Sequence, residues 1–223
     1  MSIHVRTMLI VLIAAFGCVG CARHDSQQQA HMTLSTIGKA LVFYRSQMGA
    51  FPPTIIRDSD GEARQSWRGL LIYHFESDSP RFNSRGAWNA PENLSLGGQP
   101  LVYYCDRKAK TNKTRYLAVT GDDCLMREGR PAPVHRLTAP LSEIGIVVDV
   151  GEQGIPWSQP GDLSLDELLE RFEKRSLGPH SEGVLTLFAD SSVRMVPYST
   201  PIEQVRRMFT VEVKPREKRR KAT

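Results

Sequence analysis

The sequence predicts an α+β domain in which one N-terminal helix packs on a mainly antiparallel sheet, with short additional helices. Three observations carry this prediction. Residues 33–48 have apolar side chains at helical spacing, residues 144–150 form a continuous apolar run, and residues 184–196 have the pattern of a hairpin. Strand patterns interleaved with short helical patterns, after one longer helix, are typical of α+β domains.

The N-terminal helix is predicted from residues 33–48. Five apolar side chains form one narrow stripe on it: Leu34, Ile37, Leu41, Tyr44 and Met48. Gly49 follows the stripe, and glycine readily adopts the left-handed conformation that ends many helices. Pro52 and Pro53 then prevent the helix from resuming. We therefore expect this helix to lay its stripe across the sheet.

Shorter patterns predict the remaining elements. Ser66 and Ser164 each precede an apolar helical pattern, so each is expected to cap a helix. The strand patterns share a continuous or alternating apolar character and occupy residues 100–105, 114–120, 144–150, 184–189 and 193–196. The last two strands flank the polar turn 190–192, which predicts the hairpin.

The first 21 residues have the layout of a secretory signal. Arg6 precedes a short apolar run, and small residues follow the run. The run is shorter than the roughly 20 residues that a membrane-spanning helix needs. With Gly20 before Cys21, the segment resembles a bacterial lipoprotein signal, in which a small residue precedes the lipidated cysteine. We expect an exported protein held at a membrane through Cys21. Cys18 is the alternative lipid acceptor, and an uncleaved anchor or simple secretion are alternatives to lipidation.

Charge and polarity define the domain organisation. After the signal segment 1–21, residues 22–31 are polar without a hydrophobic period and are predicted to be a tether. A single domain is expected over 32–213. The tail 214–223 holds six basic residues and one acidic residue, which accounts for the whole net charge of +5. We interpret it as a disordered, solvated end, with phospholipid headgroups or cell-wall polyanions as alternative contacts. Export argues against nucleic acid.

Two cysteines remain in the folded part once Cys18 and Cys21 are assigned to the signal. Cys105 ends one predicted strand, and Cys124 lies just beyond the next one. An exported protein meets an oxidising compartment, in which neighbouring thiols tend to pair. A disulfide between Cys105 and Cys124 is therefore possible. In a simple hairpin the two would not face each other, so a bridge requires the chain beyond Gly121 to fold back.

One set of polar residues is a candidate for chemistry: His180, Asp190, Asp149 and Glu152. A histidine near carboxylates can bind zinc or act as a base. We favour the simpler interpretation, in which His180 hydrogen-bonds across the base of the hairpin and Asp190 accepts backbone N–H groups in the turn. The sequence contains no HExxH motif, phosphate loop, cysteine quartet or nucleophile elbow. We therefore predict no catalytic residue, no metal site and no cofactor.

Several short motifs between Leu34 and Val196 form an ordered set. They are residues 37–41 with Tyr44 and 49–53, residues 66–71, residues 88–93, Pro156-Trp157 with Pro160 and Asp162, and His180 followed after nine residues by Asp190-Ser191. In this order and spacing the set resembles a large bacterial family of unknown function. That family has prepilin-like N-termini and a C-terminal H-x9-D-G motif.

The resemblance implies a pilin-like fold, with a helical spine against an antiparallel sheet, and a link to type II secretion or pilus-type assemblies. Two features depart from the family pattern. The long apolar helix through which a pilin polymerises is missing, because no run of about 20 apolar residues follows the signal. In addition, Ser191 stands where the family has glycine, so a turn that requires positive φ there would be strained.

Two classes of function follow. We expect a non-enzymatic, membrane-tethered envelope protein, a pseudopilin-like module that docks with a protein partner of the secretion machinery or cell envelope. It would face the periplasm or the cell surface. The alternative is an exported lipoprotein that binds a small molecule or glycan, with Trp88 and Trp157 as possible binding residues. A concave aromatic pocket near these tryptophans favours a ligand, whereas a flat exposed patch favours a partner.

Overall fold

The computed structural model describes the backbone of residues 3–75, 82–106, 111–151 and 154–214, and the side chains from residue 26 onward. The fold is α+β, as predicted. A long N-terminal helix packs on a mainly antiparallel five-stranded sheet, beside a small two-stranded sheet. Among the described residues, no helix combines the length and apolar character that crossing a membrane requires.

The long helix, α1, runs from Ile3 to Met48 without a break. It includes residues 22–31, so the segment predicted to be a tether is helical instead. Ala30, within this segment, is buried against the domain. The helix therefore begins well before the apolar stripe by which the sequence identifies it.

The packed face of α1 is the predicted stripe. Leu34, Ile37 and Leu41 are fully buried, whereas Met48 at the end of the stripe is exposed. Gly49 ends the helix with a φ of 75°, the left-handed conformation expected of it. The stripe therefore covers the sheet along most of its length and leaves it only in the last turn.

The described residues form seven strands in two sheets. Their bounds are β1 Ile55–Arg57, β2 Ala63–Ser66, β3 Tyr116–Thr120, β4 Gly145–Asp149, β5 Leu163–Ser164, β6 Gly183–Phe188 and β7 Val193–Pro197. The small sheet pairs β1 with β2, and the large sheet has the order β5-β3-β4-β6-β7. All neighbours in the large sheet are antiparallel except β3 and β5. The predicted strands 114–120 and 144–150 and the predicted hairpin are therefore confirmed.

The strand predicted for residues 100–105 is wrong. These residues form turns, in which the N–H groups of Tyr104 and Cys105 both donate to the carbonyl of Leu101. Tyr104 is nevertheless fully buried, against the rings of Trp67 and Trp157. A compact turn can bury apolar side chains as a strand does, so an apolar run alone does not separate the two.

The described segments also contain four shorter helices: α2 Trp67–Leu71, α3 Pro91–Gly97, α4 Leu165–Glu173 and α5 Ile202–Phe209. Short 3-10 turns lie at Ile72–His74, Val134–Arg136 and Leu141–Glu143. Both predicted serine caps are confirmed. Ser66 Oγ accepts from the Gly69 N–H at 3.2 Å, and Ser164 Oγ accepts from the Glu167 N–H at 3.1 Å.

The five-stranded sheet separates two apolar layers. Leu185 and Leu187 of β6 belong to the layer under α1, and Val184 and Phe188 belong to the layer under α4 and α5. Alternate residues of a strand lie on opposite faces, so a strand covered on both sides is apolar almost throughout. All six residues of β6 are buried for this reason.

Gly38 allows α1 to approach the β6–β7 hairpin closely. A Cβ atom there would lie 2.8 Å from Leu187 Cδ1 and 3.0 Å from Ser191 Cβ, so a larger residue would push the helix outward. Ser191 belongs to the β6–β7 turn and has a φ of 73°. The turn therefore does require positive φ at this position, and serine bears a strain there that glycine avoids.

Candidate functional site

Two of the candidate residues, His180 and Asp149, meet at the end of the central strand β4. His180 Nε2 lies 3.0 Å from Asp149 Oδ2. Arg115 donates to both carboxylate oxygens at 2.8 Å, from Nε to Oδ1 and from Nη2 to Oδ2. The Gly151 N–H donates to Oδ1 at 3.1 Å. We call Arg115, Asp149 and His180 the Asp149 cluster.

Asp149 is fully buried, and its partners keep it ionised. Burial by itself raises the pKa of a carboxyl group. The hydrogen bond from His180, together with the charge and hydrogen bonds of Arg115, outweighs burial and lowers the pKa of Asp149 below its ordinary value of 3.8. A second carboxylate, Asp106, lies 3.2 Å from Arg115 Nη1 and is partly exposed. The cluster is thus a buried ion pair with a second acid at its rim.

The hydrogen bonds of the Asp149 cluster indicate a structural role. Each oxygen of Asp149 receives two donors, which fills the four acceptor positions of a carboxylate. A general base must instead reach a proton of the substrate. The hydrogen bonds of the cluster connect the residue before β3, the end of β4 and the segment before β6.

Asp190 is not part of this cluster. His180 precedes β6 and Asp190 follows it, so the length of the strand separates them. Asp190 Oδ1 accepts from the backbone N–H of Ser192 at 2.9 Å and from its hydroxyl at 2.6 Å. Asp190 thus accepts a backbone N–H in its own turn, as predicted, whereas His180 bonds to β4 rather than across the hairpin.

Some predictions fall outside the described parts of the structure. The side chain of Cys21, the acid Glu152 and the basic tail beyond Lys214 are among the parts not described. Within the described residues, no three His, Cys, Asp or Glu side chains are grouped closely enough to hold a metal ion.

The possible disulfide between Cys105 and Cys124 is not present. Both side chains are buried, but Cys105 belongs to the layer under α1 and Cys124 to the layer under α4 and α5. The chain beyond Gly121 turns toward the C-terminal segment, where Val211 donates to the Asp123 carbonyl at 2.7 Å. Burial also raises the pKa of the Cys124 thiol to about 12, which makes it an unreactive thiol at neutral pH.

Sequence reasoning misses a second buried ion pair, Arg68–Asp162. Arg68 lies in α2, and its Nη1 donates to Asp162 Oδ1 at 2.9 Å. Nε donates to the Trp157 carbonyl at 2.8 Å, and Nη2 donates to the carbonyls of Gln159 and Gly161 at 3.0 and 2.8 Å. The available signal is an arginine within an apolar helical pattern, because a buried arginine needs an acidic partner.

Asp162 is held through one of its two oxygens. Oδ1 accepts from Arg68, from Trp67 Nε1 and from the Ala118 N–H, each at 2.9 Å. Oδ2 is buried and has no hydrogen-bond partner among the described residues. Burial therefore raises the pKa of Asp162 above its ordinary value of 3.8, and the charge of Arg68 offsets only part of this effect.

Trp157 is not a binding residue, which corrects the prediction. It is fully buried, and its ring packs against Phe82 and Tyr104. Its indole N–H donates to the Gln99 carbonyl at 2.9 Å. A tryptophan enclosed in this way, with its polar atom satisfied, belongs to the core.

Trp88 is different, because it is half-buried and lines a groove of about 400 Å³. The groove lies beside the small sheet and also contains five polar side chains: Asp58, Glu62, Arg64, Asn89 and Gln159. We call this the Trp88 groove. Of its residues, only Trp88 is identified as a binding candidate from the sequence. The polar residues come from three separate segments and have no shared motif.

Two further grooves are larger. One of about 480 Å³ lies between β7 and α5, and includes Phe188, Arg194 and Met208. The other, of about 670 Å³, is lined by Arg127 and Arg136 among others. Arg127 and Arg136 both donate to backbone carbonyls, and Arg194 stacks on Phe188 at 3.7 Å from the ring centre. These cations are therefore engaged in holding the fold.

Comparison with known proteins identifies no similar protein. The chain matches no protein-family model, no curated protein and no solved structure. The resemblance to the prepilin-like family therefore rests on short sequence motifs alone. Inferences about function rest on the helix α1, the two buried ion pairs and the Trp88 groove.

Proposed function

We propose that this protein is a non-enzymatic envelope protein, tethered to a membrane through Cys21, that docks with a protein partner of a secretion or cell-envelope assembly. The observation that carries the proposal is the continuity of α1 from Ile3 to Met48. One helix joins the signal-like segment to the domain. From Cys21 to the buried Ala30, nine residues of helix span about 14 Å. An anchor at Cys21 would therefore hold the domain close to the membrane in a defined orientation.

The buried polar groups support a non-enzymatic role. Asp149 has all four acceptor positions occupied by donors of the chain. Arg68 donates hydrogen bonds to Asp162 and to three backbone carbonyls. Charges used in this way stabilise the arrangement of loops and strands. They are not directed at a space that a substrate can enter.

The outer face of α1 offers a surface for the proposed partner. Met32 and Phe43 are 60% and 52% exposed. They lie eleven residues apart, about three helical turns, and therefore on the same face of the helix. Phe43 also packs edge-on against His74 at 5.4 Å between ring centres, which extends the aromatic surface beyond the helix.

Fatty-acid labelling of cells that express the full chain tests the tether. Wild-type protein should carry the label and sediment with membranes. Cys21→Ser should lose both properties, whereas the matched variant Cys18→Ser should keep them. Label retained in Cys21→Ser would move the anchor to Cys18, and unlabelled wild-type protein would contradict lipidation.

Site-specific photo-crosslinking in intact cells tests the docking surface. A photoreactive residue in place of Phe43 should capture one envelope protein, and capture should require Cys21. The matched control is the exposed Glu170 on α4, across the sheet from α1. Equal capture from both positions, or capture that persists in Cys21→Ser, would contradict docking through α1.

The Trp88 groove favours a second candidate function, an exported ligand-binding protein. Trp88 lines a concave surface of about 400 Å³, within the range of small-molecule sites. By the criterion set from the sequence, a concave aromatic site favours a ligand over a flat partner surface. A bound small molecule should perturb the Trp88 indole signal and leave those of Trp67 and Trp157 unchanged.

A further inference from the structure

We propose that the Trp88 groove binds a neutral saccharide. In this assignment Trp88 is the platform for the sugar ring, and Glu62, Arg64, Asn89 and Gln159 bond to its hydroxyl groups. The inference rests on the second candidate function, ligand binding, and names the ligand class. It is carried by the state of Trp88, by the mixture of donors and acceptors, and by the way the walls are fixed.

Trp88 differs from the other two tryptophans of the chain. Trp67 and Trp157 are fully buried, and each indole N–H donates to an oxygen at 2.9 Å. The Trp88 indole is half-buried, and its N–H has no hydrogen-bond partner in the described part of the chain. An indole with an open apolar face and an unused donor suits a ligand that is partly apolar and partly polar.

The polar side chains of the groove form a mixed set. Arg64 only donates hydrogen bonds, Glu62 only accepts them, and the amides of Asn89 and Gln159 do both. A hydroxyl group also does both, so a ring that carries several hydroxyls can satisfy every member of the set. The C–H face of such a ring can pack on the indole at the same time.

Other ligand classes fit the set less well. An anion would be repelled by Asp58 and Glu62, which outnumber Arg64. A cation would be attracted by these two acids, but it accepts no hydrogen bonds and would leave the donors of Arg64, Asn89 and Gln159 without partners. A flat aromatic ligand would use Trp88 but would leave the polar side chains without partners. A neutral polyhydroxyl ring is the class that uses the indole and both kinds of hydrogen-bonding group.

The walls of the groove are fixed before any ligand arrives. The backbone N–H of Trp88 donates to the Arg64 carbonyl at 2.6 Å, which attaches the platform to β2. The Gln159 carbonyl accepts from the buried Arg68 at 3.0 Å, which holds the opposite wall. The side-chain amides of Asn89 and Gln159 form no hydrogen bond with the described residues. A site whose backbone is held in place before binding loses little entropy when a ligand binds, and these two amides are available to bond to it.

Indole N–H signals in a nitrogen–proton correlation spectrum test the proposal. The full chain, labelled with ¹⁵N, is studied in a detergent without a sugar headgroup. The Trp88 signal is identified by its loss in Trp88→Phe, and the Trp67 and Trp157 signals report that the fold is intact. The probes are maltotriose, cellotriose and the trimer of N-acetylglucosamine. One of these should shift the Trp88 signal saturably at millimolar concentration and leave the other two signals in place.

Substitutions in the groove should weaken the same titration in proportion to the bonds they remove. Asn89→Ala and Gln159→Ala should each raise the dissociation constant about 2–10-fold, the effect of losing one hydrogen bond. Ser59→Ala, an exposed change in the same loop region but outside the groove, is the matched control and should have no effect. Equal effects of all three variants would overturn the assigned contacts.

Two outcomes would overturn the saccharide class. Only the second would also contradict ligand binding by the groove. If choline or inorganic phosphate shifts the Trp88 signal and no saccharide does, the groove is a ligand site for a charged molecule. In that case the saccharide class fails and ligand binding stands. If none of these probes shifts the signal, both the saccharide class and the second candidate function are contradicted.

Discussion

Two arginine–aspartate pairs are buried in the described part of the chain, and they hold their carboxylates in different ways. In the Asp149 cluster both carboxylate oxygens receive donors, two of them from Arg115. In the second pair, Oδ1 of Asp162 accepts three donors and Oδ2 accepts none among the described residues. The pKa of Asp149 is lowered as a result, and burial raises the pKa of Asp162.

The difference shows that a nearby cation does not by itself determine the state of a buried acid. Arg115 directs two of its bonds at Asp149. Arg68 directs one at Asp162 and three at backbone carbonyls of residues 157–161. Arg115 therefore mainly stabilises the carboxylate of Asp149, whereas Arg68 mainly holds the backbone of the loop 157–161 in place. That loop forms one wall of the Trp88 groove.

The largest expected effect comes from Arg68→Met. The side chains of Arg68 and Asp162 are 0% and 1% exposed, so the substitution leaves a buried charge without its cation. It should lower the free energy of unfolding by about 3–5 kcal/mol, measured by urea denaturation. The double variant Arg68→Met with Asp162→Asn should recover part of this loss, because the amide oxygen still accepts from Trp67 and Ala118. A double variant no more stable than the single one would show that the charge is not the cause.

Arg115→Met should cost less, about 3 kcal/mol, in the same measurement. Asp149 retains two donors after this substitution, from His180 and from the Gly151 N–H. The double variant Arg115→Met with Asp149→Asn tests whether the unpaired charge of Asp149 causes the loss. A loss from Arg115→Met larger than that from Arg68→Met would contradict the ranking of the two pairs.

His180→Asn should lower the free energy of unfolding by about 1 kcal/mol, the contribution of one hydrogen bond. His180 is 12% exposed, and Asp149 keeps both bonds from Arg115. Loss of this donor should also raise the pKa of Asp149 and begin acid destabilisation at higher pH. An unchanged unfolding free energy at every pH would mean that the His180–Asp149 contact contributes nothing.

The smallest expected effect is on the pH dependence of stability, where the two acids act in opposite directions on either side of pH 3.8. The folded pKa of Asp149 is lowered, so its contribution is complete above 3.8 and is lost as the pH falls below 3.8. The folded pKa of Asp162 is raised, so its contribution grows as the pH falls toward 3.8. Unfolding free energies measured across this range should fall less steeply below pH 3.8 in Asp149→Asn than in wild type. A wild-type slope in Asp149→Asn would assign the acid loss to other groups.

The sequence by itself determined the features that depend on local rules. The stripe Leu34, Ile37 and Leu41 follows from the period of a helix, and the serine caps follow from the unpaired N–H groups of a first turn. The β6–β7 hairpin follows from a short polar turn between two apolar strands. Each of these needs only a few neighbouring residues to be satisfied. They were enough to predict the fold class.

Tertiary structure alone decided which distant residues meet. Arg68 and Asp162 are 94 positions apart, and Arg115 and Asp149 are 34 apart. Cys105 and Cys124 are close in sequence, yet they lie in layers on opposite faces of the sheet. Trp157 is enclosed while Trp88 stays open, although both precede polar residues in irregular segments. Burial of a side chain depends on what other segments pack against it, and no local pattern of residues encodes that packing.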